Sequence, residues 1–222
     1  MYRIAIDIGG TFTDCVVLDV QGNTTVVKSP TSPDDPCRGV LGAVEQAAKQ
    51  LRLSVESLLQ NTDSFVHGCT IATNAMIQRS GCKTGVITTR GHEDTLLIGR
   101  VFQKVAGLSE RQITHISQLH KAEPPLVPYE LIRGVSERMD CRGEVVLPLN
   151  MREVAEAVAS LVGQGVESIA ICLLWSFLNP AHEQAIKGYI QRSYPELFVT
   201  SSHELVPLLG EYERSVTTAI NC

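Results

Sequence analysis

The chain has 222 residues, of which 44% are hydrophobic and 19% are charged, and its formal net charge at neutral pH is −5. This composition excludes disordered, collagen-like and coiled-coil proteins and supplies enough apolar residues for a core. The acidic excess gives no attraction to nucleic acid or to an anionic membrane, so neither partner is expected. With no targeting sequence and no apolar run near the roughly 20 residues that cross a bilayer, we expect a cytoplasmic protein.

The cysteines argue against two kinds of covalent or metal-based stabilisation. There are seven of them, an odd number, and they include no Cys-x-x-Cys pair. Neither a disulfide framework nor a thiolate zinc site fits this spacing. We therefore expect reduced cysteines that are mostly buried as small apolar side chains.

The first part of the chain predicts three consecutive antiparallel strands. Residues 2–8, 15–20 and 24–28 are rich in β-branched and apolar residues, and a turn at Gly22 separates the last two. Apolar residues then recur at helical spacing between Val40 and Leu51, which predicts an amphipathic helix.

Strands and helices alternate after this point. A strand at 64–66, a helix at 70–79 closed by Gly81 and a strand at 84–89 predict a βαβ unit. From 99 to 142 the periodicity is poor and three prolines occur, which predicts an irregular inserted subdomain.

Regular structure returns after the insertion and continues to the end of the chain. The expected elements are a strand at 144–147, a helix at 151–162, a fully buried strand at 168–174, a helix at 180–192 with Asn179 as N-cap, a strand at 197–200 and a helical end.

The stretch Asp7-Ile8-Gly9-Gly10-Thr11-Phe12-Thr13-Asp14 carries the strongest chemical signal. Adjacent glycines allow tight turns and leave the backbone N–H groups open to an anion, and the two threonines add hydroxyl donors. Asp7 stands at a strand end, where a carboxylate can hold Mg²⁺. The stretch predicts a phosphate-binding β-hairpin; the alternative is a plain Gly-Gly hairpin with surface threonines. It is neither a P-loop nor a dinucleotide fingerprint.

This hairpin resembles the first phosphate loop of the actin, sugar kinase and Hsp70 ATPases. Further stretches look like successive signatures of the hydantoinase A and 5-oxoprolinase family; they are 67–75, 83–91, 98–100, 137–140 and 211–218. The resemblance implies an α/β fold: a ribonuclease H-like first lobe of an actin-like ATPase, with a three-stranded antiparallel start followed by βαβ units. That lobe would cover 1–200 with an insertion at about 99–142, and 201–222 would begin a linker helix to a second lobe.

The resemblance also implies ATP and Mg²⁺ as cofactors and a carbonyl compound as substrate. The enzyme would phosphorylate a lactam or imide oxygen so that water can open the ring. The residues expected at the cofactor are Gly9, Gly10, Thr11, Phe12 and Thr13, with Asp7 at the metal; the candidate catalytic residues are Asp7, Thr11, Thr73, Asn74 and Arg100.

Each residue in the catalytic set has a structural alternative. Thr70 is expected to be the N-cap of the second helix, whose first N–H groups would face an anion, whereas Thr73 could simply bond back within that helix. Arg100 could equally be a solvated or structurally paired arginine, since arginines more often serve such roles. Local ion pairs are also expected of Glu213 and its neighbours.

Several functions remain open at the level of sequence. The alternatives are a subunit of an ATP-dependent ketone carboxylase, a non-catalytic partner-binding fragment, and a kinase of the sugar-kinase type. Expected partners are a small cyclic amide or imide and a second lobe or B-type subunit. Zinc and serine hydrolases are disfavoured, because the chain contains neither His-Glu-x-x-His nor Gly-x-Ser-x-Gly. A lone first lobe would bind nucleotide weakly and turn over little.

Overall fold

The computed structural model describes residues 1–32, 34–100, 107–115 and 125–222. The chain has a mixed α/β fold and divides into two compact units, Met1–Gly81 and Cys82–Cys222. None of the helices in these ranges is long and apolar enough to span a membrane. The lobe predicted over 1–200 and its linker stay predictions.

The described residues form ten strands and nine α-helices. The strands are β1 (Tyr2–Ile8), β2 (Phe12–Asp19), β3 (Thr24–Pro30), β4 (Thr62–Cys69), β5 (Thr84–Thr89), β6 (Ile132–Val135), β7 (Arg138–Met139), β8 (Val145–Leu147), β9 (Ser168–Cys172) and β10 (Phe198–Ser201). The helices are α1 (Pro36–Gln50), α2 (Val55–Gln60), α3 (Ile71–Gln78), α4 (Thr95–Ile98), α5 (Glu110–Thr114), α6 (Met151–Gly163), α7 (Ala181–Ser193), α8 (Ser202–Leu205) and α9 (Glu211–Ile220). A short 3₁₀ helix covers Tyr129–Leu131.

The first unit is a four-stranded sheet in the order β3-β2-β1-β4. The antiparallel pairing of β1 with β2 and of β2 with β3 confirms the predicted opening. β4 lies parallel to β1 and is longer than the strand expected at 64–66. The alternation along β1 places Ile4, Ile6 and Ile8 in the core and leaves Asp7 on the exposed face.

Helix α1 covers the core face of this sheet. It begins where the Asp35 side chain accepts a hydrogen bond from the Cys37 N–H at 3.1 Å, with Pro36 in the first turn. The helix approaches the sheet closely at Gly39, where an added Cβ would lie 2.6 Å from Thr13 Oγ1. A glycine is therefore required at this crossing.

The second unit contains a parallel sheet in the order β10-β9-β5-β6. All five residues of β9 are buried, which confirms the fully buried strand that its continuous apolar run predicts. β9, α7 and β10 form a βαβ unit. The N-cap residue of α7 is Pro180 and not the predicted Asn179, although Asn179 Oδ1 accepts from the Ala181 N–H at 3.1 Å, because the helix begins one residue later than predicted. Helices α6 and α7 contact each other, and α9 packs on β9.

The βαβ unit predicted across β4, α3 and β5 is wrong. β4 pairs with β1, whereas β5 pairs with β6 and β9 in the other sheet. Helix α3 ends at Arg79, which adopts a left-handed conformation with φ of 52°, before reaching Gly81. Local helix and strand patterns are correct here, but they do not specify which strands pair.

Two further predictions need correction. The strand β6 lies within the predicted insertion, where its four residues are too few to produce a visible alternation; residues 101–106 and 116–124 of the insertion lie outside the described ranges. All seven cysteines are free, as expected, but only Cys15 and Cys172 are buried. Burial raises the pKa of the Cys172 thiol to about 12, so this side chain stays protonated.

Candidate functional site

The loop Gly9–Thr11, here called the glycine loop, joins β1 to β2. The Gly9 N–H donates to the Phe12 carbonyl at 3.0 Å and closes a tight turn. An added Cβ on Gly9 would lie 2.9 Å from that carbonyl oxygen, closer than real Cβ contacts allow. Gly10 and Thr11 are exposed. The loop therefore presents backbone at the surface in a shape that side chains would prevent.

Helix α3 begins beside the glycine loop. The Thr70 N–H donates to the Ile8 carbonyl at 3.0 Å, and its hydroxyl donates to the same oxygen at 3.4 Å. Thr70 is the N-cap residue, as predicted, but its side chain makes no capping hydrogen bond. The first N–H groups of this eight-residue helix consequently have no side-chain acceptor at the cap.

Asn74 connects the helix to the loop. Its Nδ2 lies 3.4 Å from the position that a Cβ on Gly10 would occupy. The amide side chain therefore stands over the second glycine, within reach of a group bound to the loop. Thr73, one residue earlier, is exposed on the same short helix. The structure thus brings Gly9, Gly10 and Asn74 together in the first unit.

Asp7 stands at the end of β1, paired in register with Asp14 of β2 and Gly68 of β4. A Cβ on Gly68 would be 3.8 Å from Asp7 Oδ1, an ordinary contact distance, so Gly68 is a neighbour of this carboxylate. Asp14 pairs with Lys28 at 3.2 Å, whereas Asp7 has no ion pair with any residue that the structure describes. Our sequence analysis missed Gly68; a glycine at a strand end is the signal that could have identified it.

These groups fit a magnesium–nucleotide complex in part. The loop supplies open backbone that a Cβ would fill, and Asp7 supplies one unpaired carboxylate. The described residues contain no group of three or more potential metal ligands. Magnesium commonly takes one or two protein carboxylates and completes its octahedron with phosphate oxygens and water, so a single aspartate fits a nucleotide-bound ion.

The Thr13 side chain occupies a different position from the one that a phosphate role requires, whereas Phe12 stays exposed beside the loop. The Thr13 side chain is completely buried beneath α1, and its Oγ1 lies 2.9 Å from Thr31 Oγ1. The alternation of β2 turns it into the core, opposite to the face that carries Asp14. Phe12 is 44% exposed, and the Lys28 ammonium lies 5.2 Å from its ring centroid.

Arg100 lies in the second unit, where it forms an ion pair with Glu213 of α9. Their hydrogen bond raises the pKa of Arg100 and lowers the pKa of Glu213. Gly99 beside it has a φ of 57°, and a Cβ there would lie 3.4 Å from the Tyr212 ring. This geometry matches the alternative of an arginine paired with a carboxylate.

A buried polar cluster in the second unit has Glu183 at its centre. The Glu183 carboxylate accepts hydrogen bonds from Leu173 N at 2.8 Å, Ser202 Oγ at 2.6 Å, and His203 N and Nδ1 at 3.0 and 2.7 Å. Burial raises the pKa of Glu183, but these hydrogen bonds outweigh burial and leave it below its ordinary value. The spacing of Glu183, Ile186 and Ile190 on one helix face is the signal for its burial.

Arg214 lies buried in the same cluster. Its Nη1 donates to Ser176 Oγ at 2.8 Å, and its Nη2 donates to the Leu173 carbonyl at 2.7 Å. Ser176 and Ser202 contact each other through their hydroxyls at 3.1 Å, which links the arginine to Glu183. The signature at 211–218 thus contributes a structural arginine to the core.

Comparison with known proteins places most of the chain in one family. Residues 3–194 match the model of the hydantoinase/oxoprolinase N-terminal region. The chain is 41% identical to the acetophenone carboxylase gamma subunit of Aromatoleum aromaticum, over 98% of this chain and 30% of that protein.

Two solved structures are similar as well. A nucleotide-free structure of acetone carboxylase, described as ATP-dependent, matches with a TM-score of 0.84 at 31% identity, over 99% of this chain and 32% of that one. The ATP-dependent caprolactamase of Pseudomonas jessenii matches with a TM-score of 0.77 at 34% identity, over 99% and 31%. The chain therefore spans about a third of the length of the relatives it matches.

Proposed function

Because the chain belongs to the hydantoinase and oxoprolinase family, whose N-terminal region it matches, we propose that it is the nucleotide-binding part of an ATP-dependent enzyme. That enzyme would phosphorylate the carbonyl oxygen of a lactam or cyclic imide and so prepare the ring for hydrolysis. The observation that carries the proposal is the exposed glycine loop beside the uncapped start of α3, with the unpaired Asp7 carboxylate next to both. The β3-β2-β1-β4 order supports a ribonuclease H-like lobe of an actin-like ATPase.

The first unit provides the groups that bind phosphate. The Gly9 N–H closes the turn on the Phe12 carbonyl, which leaves the N–H groups of Gly10, Thr11 and the first turn of α3 to donate to phosphate oxygens, and the helix dipole adds positive potential there. Such fixed donors stabilise the charge that develops during phosphoryl transfer without having to reorient. The exposed residue Thr11 adds a hydroxyl, and Asn74 orients the group held over Gly10.

Asp7 would hold magnesium, and bound magnesium neutralises charge on the transferring phosphoryl group. Phosphorylation makes the amide carbon reactive, because the carbonyl oxygen becomes a leaving group and amide resonance is lost. Thr13 supports the loop from within the core, and Arg100 is omitted from the proposed set, because Glu213 occupies its guanidinium.

A ketone carboxylase subunit is the second candidate. It is favoured by the 41% identity to the acetophenone carboxylase gamma subunit, which exceeds the 34% identity to caprolactamase. Both chemistries use a phosphorylated carbonyl oxygen. Both relatives are named as subunits, and both are longer than this chain. We therefore propose that a second lobe or a B-type subunit completes the activity.

The proposal predicts ADP release that depends on a carbonyl compound. The chain is assayed with Mg·ATP and each of caprolactam, 5-oxoproline, hydantoin and acetophenone, alone and with the product of the neighbouring gene. We expect stimulation by one compound in the two-component assay and little turnover by the chain alone.

Asp7→Asn should remove this activity by weakening magnesium binding, whereas Asp14→Asn, directly opposite in register, should retain it. The asparagine keeps the size of the side chain, so packing is preserved in both variants. Equal activity of Asp7→Asn and the wild type would contradict the assigned magnesium role, and ADP release unaffected by every compound would contradict the reaction.

A further inference from the structure

A second carboxylate in unit Cys82–Cys222 is buried against a histidine. Glu137 has 2% of its surface exposed, and its carboxylate accepts from the Thr89 hydroxyl and lies 2.8 Å from His182 Nδ1. The Thr89 Oγ1 also accepts from the Leu174 N–H at 3.0 Å. The Glu137 carboxylate, which follows β6, thus contacts the end of β5 and the start of α7. Thr89 extends this network to the segment after β9.

The topology of the parallel sheet favours ligand binding near this Glu137–His182 pair. In the order β10-β9-β5-β6, strand β5 leads to β6 on one side, and β9 leads to β10 on the other. In open sheets of this kind, ligands bind in the crevice outside the carboxyl ends of the two strands where the connections diverge. Thr89 ends β5 and Leu174 closely follows β9, so their hydrogen bond lies at the edge of the sheet where this rule places a ligand.

The histidine is oriented so that one ring nitrogen is left over. Nδ1 faces the Glu137 carboxylate, and the side chain of His182 is 12% exposed. Within the described ranges, Nε2 makes no hydrogen bond. A carboxylate at Nδ1 fixes the tautomer with its proton on that atom, which leaves Nε2 as a hydrogen-bond and proton acceptor. The pair therefore has the arrangement of a general base.

Trp175 gives an independent sign of constraint at the same place. It follows Leu174 directly and has a φ of 56°, a conformation that bulky residues rarely adopt. Its ring lies 5.7 Å from that of Phe177. Strained backbone of this kind clusters at binding and catalytic sites.

We propose that this crevice binds a small carbonyl compound and that His182 Nε2 accepts the proton from the atom next to the carbonyl carbon. In a lactam the proton leaves nitrogen, and in a ketone it leaves the α-carbon. The bond pair that held the proton becomes the new C=N or C=C bond, and the C=O π pair moves onto oxygen. Only the substrate class of this inference, a lactam or a ketone, rests on the proposed function.

The Glu183–His203 pair provides a matched comparison within the same unit. Its geometry is similar, with 2.7 Å between His203 Nδ1 and the carboxylate. However, His203 Nε2 lies 3.9 Å from the Glu204 carboxylate, so its second ring nitrogen already faces a charged side chain, unlike that of His182 within the described residues. We assign it no proton transfer.

The test measures exchange of that proton with solvent, without ATP. Water saturation transfer follows the N–H of caprolactam and 5-oxoproline, and deuterium uptake follows the methyl group of acetophenone. We expect the wild-type chain to accelerate exchange for the lactams or for the ketone, which also identifies the source. His182→Gln should lower the acceleration about tenfold or more, and His203→Gln should leave it unchanged.

Two results would overturn the inference. One is no acceleration of any compound by the wild-type chain, which needs no variant to fold. The other is an equal acceleration by His182→Gln and the wild type. Since ATP is absent, a failure here leaves the nucleotide proposal standing, and a chain that cannot bind ATP could still pass this test.

Discussion

Gly9→Ala should weaken the binding of Mg·ATP about tenfold or more, because it deforms the turn that presents the loop N–H groups. The added methyl carbon would lie 2.9 Å from the Phe12 carbonyl oxygen, and that oxygen accepts the Gly9 N–H. Backbone cannot yield as a flexible side chain does, so the loop must open. Isothermal titration calorimetry of both proteins measures the difference.

Gly81→Ala is the matched control for this substitution. An added Cβ at Gly81 has no heavy atom within 4 Å, so the same chemical change meets open space. We expect its affinity for Mg·ATP to equal that of the wild type. Equal weakening by both variants would indicate a general loss of stability, and no weakening by Gly9→Ala would exclude the loop as the phosphate site.

Glu183→Gln should lower the free energy of unfolding of the second unit by about 3 kcal/mol, as expected when a buried, hydrogen-bonded charged group is replaced by a neutral one. The carboxylate accepts four hydrogen bonds, and an amide replaces one of its oxygens by a donor that faces other donors. Urea unfolding followed by the fluorescence of Trp175, the single tryptophan, reports on this unit.

The control and the pH dependence sharpen this test. Glu204→Gln, on the neighbouring helix α8, removes a partly exposed ion pair with Lys187 and a longer contact of 3.9 Å with His203 Nε2, and it should cost at most about 1 kcal/mol. The pKa of Glu183 is lowered by folding, so its contribution is present above the unfolded value of about 4.3 and declines as pH falls below it. A difference that grew towards acid pH would contradict an ionised Glu183.

Local sequence patterns predicted most of the elements and pointed to the loop that we propose as the site in the first unit. The alternation in β1 placed Asp7 at an exposed strand end, and the two glycines identified the loop. Contacts between residues distant in sequence could not be predicted from these local patterns. The approach of Asn74 to Gly10, and of Gly68 to Asp7, depends on the parallel register of β4 with β1, which links residues distant in sequence.

The polar contacts of the second unit could not be predicted from the sequence. Glu137, His182 and Thr89 are far apart along the chain and meet only because β5 and β6 are adjacent, with α7 beginning after β9. Parallel sheets join such segments by long connections, so no short motif records the contact. Thr13 failed for a different reason, because the twofold alternation of β2 decides its face more strongly than its place in the glycine motif.

Amide chemical shifts during a Mg·ATP titration test the central assignment most directly. In ¹H–¹⁵N spectra, we expect saturable shifts at Gly9, Gly10 and Thr11 and in the first turn of α3. The same resonances should shift with inorganic triphosphate, since the phosphates make the contacts. Saturable binding that leaves these amides unmoved, with shifts concentrated elsewhere in the chain, would contradict the assignment of this loop as the nucleotide phosphate site.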